Sequence, residues 1–392
     1  RNVYDVSVDR MRWIFKEFQG HVIISNSGGK DSTTVLEIAL EVVREMQESG
    51  ELPKDYKLKT FWLDQEAEWT RTVEYMERTL ERDDVELYWL QLPFDLGTNT
   101  SLDGQTKLHC YDPDHEGEYI QPLHPMAYDR LAVREDGSMM PIDELNEHRE
   151  IVDGKWVYHR EVDTVKYNPK SFFKIFNHIE SWITGGESYA IISGIKASES
   201  PKRMLSLTHQ WGWRGITWAT RAGINHESVR FNPIYDWSRT DNFTYFGKSG
   251  CDYNTMYDEY LRYGRAPGDM RVSSLIHETS VIHNVPIAQE IDRELYNRMA
   301  NRLSGISTYS QLGDKSQEVI LPPNFKDYEE FGRYLNDKLI PSELQHHFYG
   351  MYELKYYQDN INNYETKQLL DRMICQSILT KDIEKTKIQF LI

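Results

Sequence analysis

The chain has 392 residues, of which 39% are hydrophobic and 27% are charged. This composition supports one large α/β domain with additions or two ordinary domains, and it excludes a disordered or fibrous protein. With 45 Lys and Arg against 62 Asp and Glu, the formal charge of −17 opposes non-specific attraction to nucleic acid and to anionic lipid.

No apolar run approaches the roughly 20 residues of a membrane span, and the N-terminus shows no signal-peptide pattern. We therefore expect a soluble, cytoplasmic protein with no membrane partner. Only three cysteines occur, Cys110, Cys251 and Cys375, and no two of them form a C-x-x-C pair. This excludes a disulfide framework, and it excludes an iron–sulfur cluster held by four thiolates of this chain.

Short apolar runs alternate with amphipathic stretches between Val22 and Leu92, which is typical of βαβ units and a parallel sheet. The pattern predicts strands at residues 21–25, 58–63, 85–90 and, after a long polar interval, 189–194. It predicts helices over an apolar stripe at 35–46 and over 69–80. The expected fold class is α/β, with a doubly wound parallel sheet flanked by helices.

The polar interval, about residues 93–169, is too long for a bare loop in a compact fold, so we expect an insertion with its own small structure. Within it, the Asp-Gly pair at 153–154 predicts a hairpin. Beyond Gly250 the strand pattern stops. The expected domains are therefore residues 1–250 and a helical C-terminal region, 251–392, with helices at 287–303, 328–339 and 364–379.

The segment S-G-G-K-D-S at 27–32 lies directly between the first predicted strand and the first predicted helix. Its two glycines allow backbone to approach a phosphate, the helix N-terminus adds a positive end, and the lysine adds a full charge. The segment lacks the G-x-x-x-x-G-K-[ST] spacing of a Walker A loop. The alternative is a capped, glycine-rich turn without a ligand. The predicted phosphate-binding residues are Ser25, Ser27, Gly28, Gly29, Lys30, Asp31 and Ser32.

This hexapeptide resembles the PP-loop of the adenine nucleotide α-hydrolase superfamily, which includes N-type ATP pyrophosphatases and phosphoadenosine phosphosulfate (PAPS) reductases. Residues 63–69 match the position of their acidic motif, and 194–203 look like their G-x-R-x-x-E-S-x-x-R segment with Lys196 in place of the first Arg. Residues 232–241 resemble their P-I-x-D-W motif. The resemblance implies a PP-loop nucleotide-binding domain over residues 1–250.

A closer resemblance is to the PAPS reductase-like family of unknown function that includes the immunoglobulin-binding regulator A proteins of bacteria and phages. It is suggested by residues 110–114 and by Y-N-T-M-Y-D at 253–258, which leads to D-M-R at 269–271. For this family the resemblance implies a ParB-like protein as a partner.

The acidic residues after the second strand, Asp64, Glu66 and Glu68, lie at the edge where α/β proteins bind ligands. Asp64 is the predicted ligand for the nucleotide ribose or for Mg²⁺. The alternative is that these acidic residues only favour the start of the next helix. Gly194, Lys196 and Arg203 are the further predicted site residues, whose alternative role is a capped helix start.

For three other segments a structural role is favoured over a role in binding or catalysis. Ser238 and Asp241 have the spacing of a helix N-cap and its third residue. The histidines and cysteine at 109, 110, 115 and 124 fit no standard zinc spacing. The Trp and Arg residues between 211 and 221 suit a nucleotide or single-strand platform, but a partly buried core segment is the favoured interpretation.

The leading hypothesis is an ATP pyrophosphatase that uses ATP and Mg²⁺ to adenylylate an unidentified acceptor, in sulfur transfer or nucleic-acid modification. Lys30, Asp31 and Arg203 are its predicted catalytic residues. One alternative is a PAPS reductase-type thiol enzyme using Cys251 or Cys375 with PAPS in place of ATP, although Cys375 lacks the E-C-G-x-H context of those enzymes. Another is a non-catalytic adenine-nucleotide sensor acting with the ParB-like partner.

Overall fold

The computed structural model describes residues 2–98, 100, 107–136, 138–159, 162–163, 172–199, 201–208, 212–238, 240–265, 270–272, 275–277, 280–307, 319 and 321–379. The chain divides into two compact units. The first comprises residues 1–95 and 109–274, and the second comprises residues 96–108 and 275–392. No helix within the described ranges is both long and apolar enough to cross a membrane.

The described elements up to residue 274 are, in chain order, α1 (Val3–Glu17), β1 (Val22–Ser25), α2 (Lys30–Glu48), β2 (Leu58–Leu63), α3 (Thr70–Leu80), β3 (Val85–Leu90), β4 (Phe94–Gly97), β5 (Lys107–Cys110), α4 (Ile142–Asn146), β6 (Arg149–Val152), β7 (Lys155–Tyr158), α5 (Phe172–Thr184), β8 (Ala190–Ile192), α6 (Pro201–Thr208), β9 (Ala219–Ala222), β10 (Ser228–Phe231), α7 (Asp241–Ser249) and α8 (Met256–Arg262).

Six of these strands form the central sheet, in the order β3-β2-β1-β8-β10-β9. All neighbouring pairs are parallel except β10 and β9, which form an antiparallel hairpin at one edge. Parallel pairing places the carboxyl ends of β1, β8 and β10 at the same edge of the sheet. That edge, outside the strand ends, is where open α/β sheets bind ligands.

Strand β1 and helix α2 lie at the centre of this arrangement because both are apolar on their packed faces. Val22, Ile23 and Ile24 are fully buried in β1. In α2 the predicted stripe, which includes Val35, Ile38, Ala39, Val42, Val43 and Met46, is buried in the same core cluster. The packing fixes where the β1–α2 loop emerges.

The structure confirms the predicted α/β class, and all four strands predicted from the apolar runs are present. Strands β2 and β3 have the predicted bounds, and β1 and β8 are shorter than predicted. Helices α1 and α5 and the β9–β10 hairpin are not predicted by the sequence patterns. Strands β9 and β10 have only four residues each, too few to show a period-two pattern above the noise.

Part of the predicted insertion forms the expected hairpin. Strands β6 and β7 pair antiparallel with Val152 opposite Lys155, so Asp153 and Gly154 make a two-residue turn. Strands β4 and β5 form a second two-stranded sheet.

The regular elements that the structure describes beyond residue 275 are helices: α9 (Val281–Ile291), α10 (Arg293–Arg302), α11 (Tyr328–Leu339), α12 (Gln345–Tyr349), α13 (Lys355–Asn360) and α14 (Tyr364–Leu379). Helices α11 and α14 have the predicted bounds. The predicted helix at 287–303 is instead two helices, because the Asp292 side chain accepts the backbone N–H of Leu295 and starts α10 anew.

The turn after β8 approaches the start of α2 so closely that only glycine fits. A Cβ added to Gly194 would lie 2.7 Å from the carbonyl carbon of Asp31. This contact between backbone segments joins the carboxyl end of β8 to the β1–α2 loop.

We expect Gly194→Ala to lower the free energy of unfolding by about 1–3 kcal/mol, because backbone must shift to admit the methyl group. Gly247→Ala in α7 is the matched control, since a Cβ there would meet no atom within 4 Å. Alanine favours a helix, so the control should gain up to about 1 kcal/mol. Urea denaturation measures both changes, and equal stability of the two variants would contradict the close contact.

Candidate nucleotide-binding site

The β1–α2 loop is closed by hydrogen bonds among its own residues. The Ser27 N–H donates to Ser32 Oγ over 3.1 Å, and Ser32 Oγ donates to the Gly29 carbonyl over 3.0 Å. The Gly28 N–H donates to Asn26 Oδ1 over 2.9 Å. Gly28 has a φ of 68°, and a Cβ there would lie 2.8 Å from Thr72 Cγ2. The loop therefore requires glycine at this position for both its conformation and its space.

Helix α2 begins at Lys30, so the N–H groups of its first turn lack helical partners and face the loop. The Lys30 side chain is only 11% exposed, and its Nζ lies 3.3 Å from Asp31 Oδ2. A helix N-terminus with a nearby lysine is a site that favours anions.

Asn254 and Tyr257, which the sequence patterns did not single out individually, hold the loop from the other side. Asn254 Nδ2 donates to the Gly28 carbonyl over 3.0 Å and to Thr72 Oγ1 over 2.9 Å. The hydroxyl oxygen of Tyr257 accepts the Lys30 N–H over 2.7 Å. Burial raises the pKa of Tyr257 well above its usual value, so its hydroxyl remains protonated and can donate to a ligand.

Lys196 lies beneath the loop and is fully buried. Its Nζ is 2.6 Å from Asp31 Oδ1 and donates to Asn242 Oδ1 over 2.7 Å. Burial lowers the pKa of Lys196, against the opposing effect of Asp31. The geometry thus argues against the predicted phosphate contact for Lys196, which instead holds Asp31 and the start of α2 in place.

A cavity of about 600 Å³ opens at the carboxyl ends of the strands, within the size range of small-molecule sites. The predicted site residues that line it are Ser25, Ser27, Gly29, Lys30, Asp31, Ser32, Gly194 and Arg203. Gly28, Asp64 and Lys196 are not among its described lining residues. Five basic side chains (Lys30, Arg203, Arg221, Arg230 and Arg271) and three acidic ones (Asp31, Glu180 and Glu199) line it.

Arg203 extends into this cavity from α6 and forms an ion pair with Glu199. Arg271 lines the same cavity, and burial, followed by the charge of Arg271, lowers the pKa of Arg203. Val272 lies next to the loop, with Cγ2 3.7 Å from where a Gly29 Cβ would be. Arg203 and Arg271 therefore stand at the loop end of the cavity.

Asp64 lies in a closed network instead of an open site. Its Oδ1 accepts the Glu66 N–H over 2.9 Å, and its Oδ2 accepts from Trp89 Nε1 over 3.1 Å and Gln91 Nε2 over 3.0 Å. Asp64 is fully buried, and burial raises its pKa. No group of three or more His, Cys, Asp or Glu side chains within the described ranges is arranged to hold a metal ion. These residues do not fit the predicted magnesium role.

The two glutamates of this motif differ in their contacts. Glu66 accepts the Tyr111 N–H over 2.7 Å and the Ile120 N–H over 3.0 Å, so it fastens the inserted segment to the sheet. Glu68 is 2% exposed, and its Oε2 is buried without a hydrogen-bond partner among the residues described. Burial, and next the charge of Asp64, raise the pKa of Glu68 well above its usual value.

The remaining candidate segments are mainly structural. Trp213 and Trp218 pack around Phe231 with ring centroids 5.7 Å apart in each case, and Trp211 lies outside the described residues. Asp241 Oδ2 accepts the Ser238 N–H over 2.6 Å, but α7 begins at Asp241 with Thr240 as its N-cap, so the predicted N-cap at Ser238 is two residues too early. His124 stacks on Trp89 at 4.2 Å.

The loop, the cavity and the strand order define a nucleotide-binding α/β fold of the PP-loop type. The chain belongs to the phosphoadenosine phosphosulfate reductase domain family, whose model matches residues 21–317. This confirms the resemblance to PAPS reductases. The likeness to immunoglobulin-binding regulator A proteins stays a prediction.

The chain is also similar to particular proteins. It is 23% identical to the uncharacterized protein YbdN of Escherichia coli K12, over 97% of this chain and 88% of that protein. Yeast FAD synthetase, solved with FAD, is 15% identical with a TM-score of 0.37, covering 78% of this chain and 84% of the synthetase. Candida glabrata FMN adenylyltransferase, solved with FAD and pyrophosphate, is 14% identical with a TM-score of 0.34, covering 65% of this chain and 59% of that one.

We expect Lys196→Met to lower the free energy of unfolding by about 3 kcal/mol, because it leaves the Asp31 carboxylate without its nearest cation. The double variant Asp31→Asn/Lys196→Met should recover much of this loss, since no buried charge then stays unpaired. A double-mutant cycle in urea measures the coupling. Additive effects of the two substitutions would contradict the pairing.

A pH-dependent stability is expected from Glu68. Its pKa is raised in the folded state, so above the unfolded value of 4.5 the folded protein binds more protons and loses stability as pH rises. Glu68→Gln should remove this loss, with a difference that grows by up to about 1.4 kcal/mol per pH unit. Urea midpoints between pH 5 and 8 test this, with Glu77→Gln on the exposed face of α3 as the control. A pH-independent difference would refute it.

Proposed function

We propose that this protein is an ATP pyrophosphatase that cleaves ATP between the α and β phosphates and transfers the adenylyl group to an acceptor. The observation that carries the proposal is the cavity at the start of α2. There an acidic chain of charge −17 presents more basic than acidic side chains, beside a helix N-terminus. Such an inversion of charge favours a strongly anionic ligand.

The geometry supports a division of roles within the cavity. The first turn of α2 and Lys30 would hold the pyrophosphate part of ATP, with the Tyr257 hydroxyl as a further donor. Arg203 and Arg271 would neutralise the charge that grows on the leaving pyrophosphate as the bond to the α-phosphorus breaks. Asp31, fixed by Lys196, would keep Lys30 oriented.

The cysteines give little support to the thiol-enzyme alternative. None of them is among the described residues that line the cavity. Cys110 and Cys375 are fully buried. Burial raises the pKa of Cys251, and it raises the pKa of Cys375 to about 12, so neither thiol favours the reactive thiolate. The sensor acting with a ParB-like partner stays a prediction.

The products formed from ATP distinguish the hypotheses. Phosphorus NMR of ATP incubated with the protein and Mg²⁺ should show AMP or an adenylylated product together with pyrophosphate. Sulfite release from PAPS in the presence of a dithiol reductant would support the thiol enzyme, and unchanged nucleotide that is nevertheless bound would support the sensor.

Lys30→Ala should weaken ATP binding by about 1.5–3 kcal/mol, because a charge-assisted phosphate contact is lost. Calorimetry measures this change. Lys248→Ala, an exposed lysine of α7 outside this cavity, is the control and should bind ATP as the wild type does. Equal ATP affinity of wild type and folded Lys30→Ala would rule out the loop as the phosphate site.

A further inference from the structure

The cavity has a second end, far from the loop, that the proposed ATP contacts do not use. We name it the α5–β10 end, and it consists of Asn177 and Glu180 of α5, Arg221 of β9 and Arg230 of β10. In the order β1-β8-β10-β9, strands about 4.8 Å apart place β10 about 10 Å and β9 about 14 Å from β1. The phosphate-binding loop follows β1, so the α5–β10 end suits a different chemical group.

Glu180 is the buried polar side chain of this end of the cavity. It is 1% exposed, and one of its oxygens forms an ion pair with Arg230. Its other oxygen, Oε2, is buried and has no hydrogen bond within standard distance and angle limits in the described ranges, although a hydrogen bond from the Gly223 backbone lowers the pKa of this carboxyl. A buried acceptor with incompletely satisfied hydrogen bonds costs free energy, which a ligand hydroxyl or amine would recover. Burial also raises the pKa of Glu180, although Arg230 opposes the shift.

Arg221 is the second cation of the α5–β10 end. Its Nη1 donates to the His226 carbonyl over 3.3 Å, within its own hairpin. No carboxylate of the described part of the chain forms an ion pair with it. Its side chain is exposed and Arg221 is among the residues that line the cavity, so its guanidinium has donors to spare.

We propose that the α5–β10 end is the acceptor subsite. The acceptor is a small molecule with an oxyanion that Arg221 and Arg230 bind, next to a hydroxyl or amino group that donates to Glu180 Oε2. This rests on the proposed adenylyl transfer, since the acceptor of such a reaction must share a cavity with ATP. Two guanidinium groups suit a phosphate or carboxylate, and the buried carboxylate oxygen selects a neighbouring donor.

The oxyanion part is tested with inorganic phosphate as the probe. Calorimetry titrates phosphate into protein already saturated with α,β-methylene ATP, which cannot be cleaved between its α and β phosphates. We expect one phosphate site, weakened about tenfold in Arg221→Gln. Arg214→Gln is the matched control, because Arg214 is exposed, pairs with Glu17 and does not line the cavity. Failure of phosphate to bind the saturated wild type, or equal binding by Arg221→Gln, overturns the subsite.

The donor part is tested with two phosphate esters that differ in their hydroxyl groups. Glycerol 3-phosphate should bind the saturated wild type about fivefold more tightly than propyl phosphate, and Glu180→Ala should lose this preference. If Glu180→Ala does not fold, the wild-type preference alone decides. Equal affinity of the two esters for the wild type overturns the role of Glu180.

Failure of the subsite and failure of the proposed function give different results. If α,β-methylene ATP does not bind the wild type, the proposed function fails. In Lys30→Ala the β1–α2 loop binds phosphate more weakly. Phosphate titrated into this variant then tests the α5–β10 end by itself. Binding that depends on Arg221 supports this anion site, and binding that does not depend on Arg221 overturns it.

Discussion

The buried ion pair between Lys196 and Asp31 is the interaction on which the site depends. An ionised lysine removed from water loses several kcal/mol of hydration, so such a pair persists only with close geometry and further hydrogen bonds. Asn242 supplies them: its Oδ1 accepts from Lys196, and its Nδ2 donates to the Lys30 carbonyl over 3.2 Å. The pair therefore connects β8, α7 and the first turn of α2.

The charge distribution follows from this arrangement. Lys196 neutralises the charge of Asp31, so Asp31 lowers the positive potential at the N-terminus of α2 only slightly. Lys30, Arg203 and Arg271 then give the loop end a positive surface in a chain whose net charge is −17. A phosphate approaching this protein is repelled by most of its surface and attracted at this cavity.

Much of the fold could be predicted from the sequence, because long apolar runs and stripes fix element type. Strands β2 and β3 and helices α11 and α14 have the predicted bounds. The hairpin at Asp153 and Gly154 follows from turn chemistry, which is local. The β9–β10 hairpin was not predictable, since short edge strands are defined by their pairing partners more than by their own residues.

The site was predictable in part, for the same reason. The loop at 27–32 is a local motif, and all of its residues except Gly28 line the cavity. Lys196 and Asp64 were assigned to the ligand by position along the chain. Their side chains instead bind other side chains of the protein. Those contacts join residues far apart in the sequence, so only the tertiary structure defines them. Tyr257 lies more than 220 residues from Lys30, and no spacing rule relates the two.

We expect ATP phosphates to bind at the start of α2, with the cavity continuing towards the acceptor. A crystal structure with α,β-methylene ATP would show this. The β and γ phosphates should lie against the N–H groups of the first turn of α2 and Lys30, with Arg203 and Arg271 near the α-phosphorus. A nucleotide bound elsewhere, with no phosphate at this loop, would contradict this expectation.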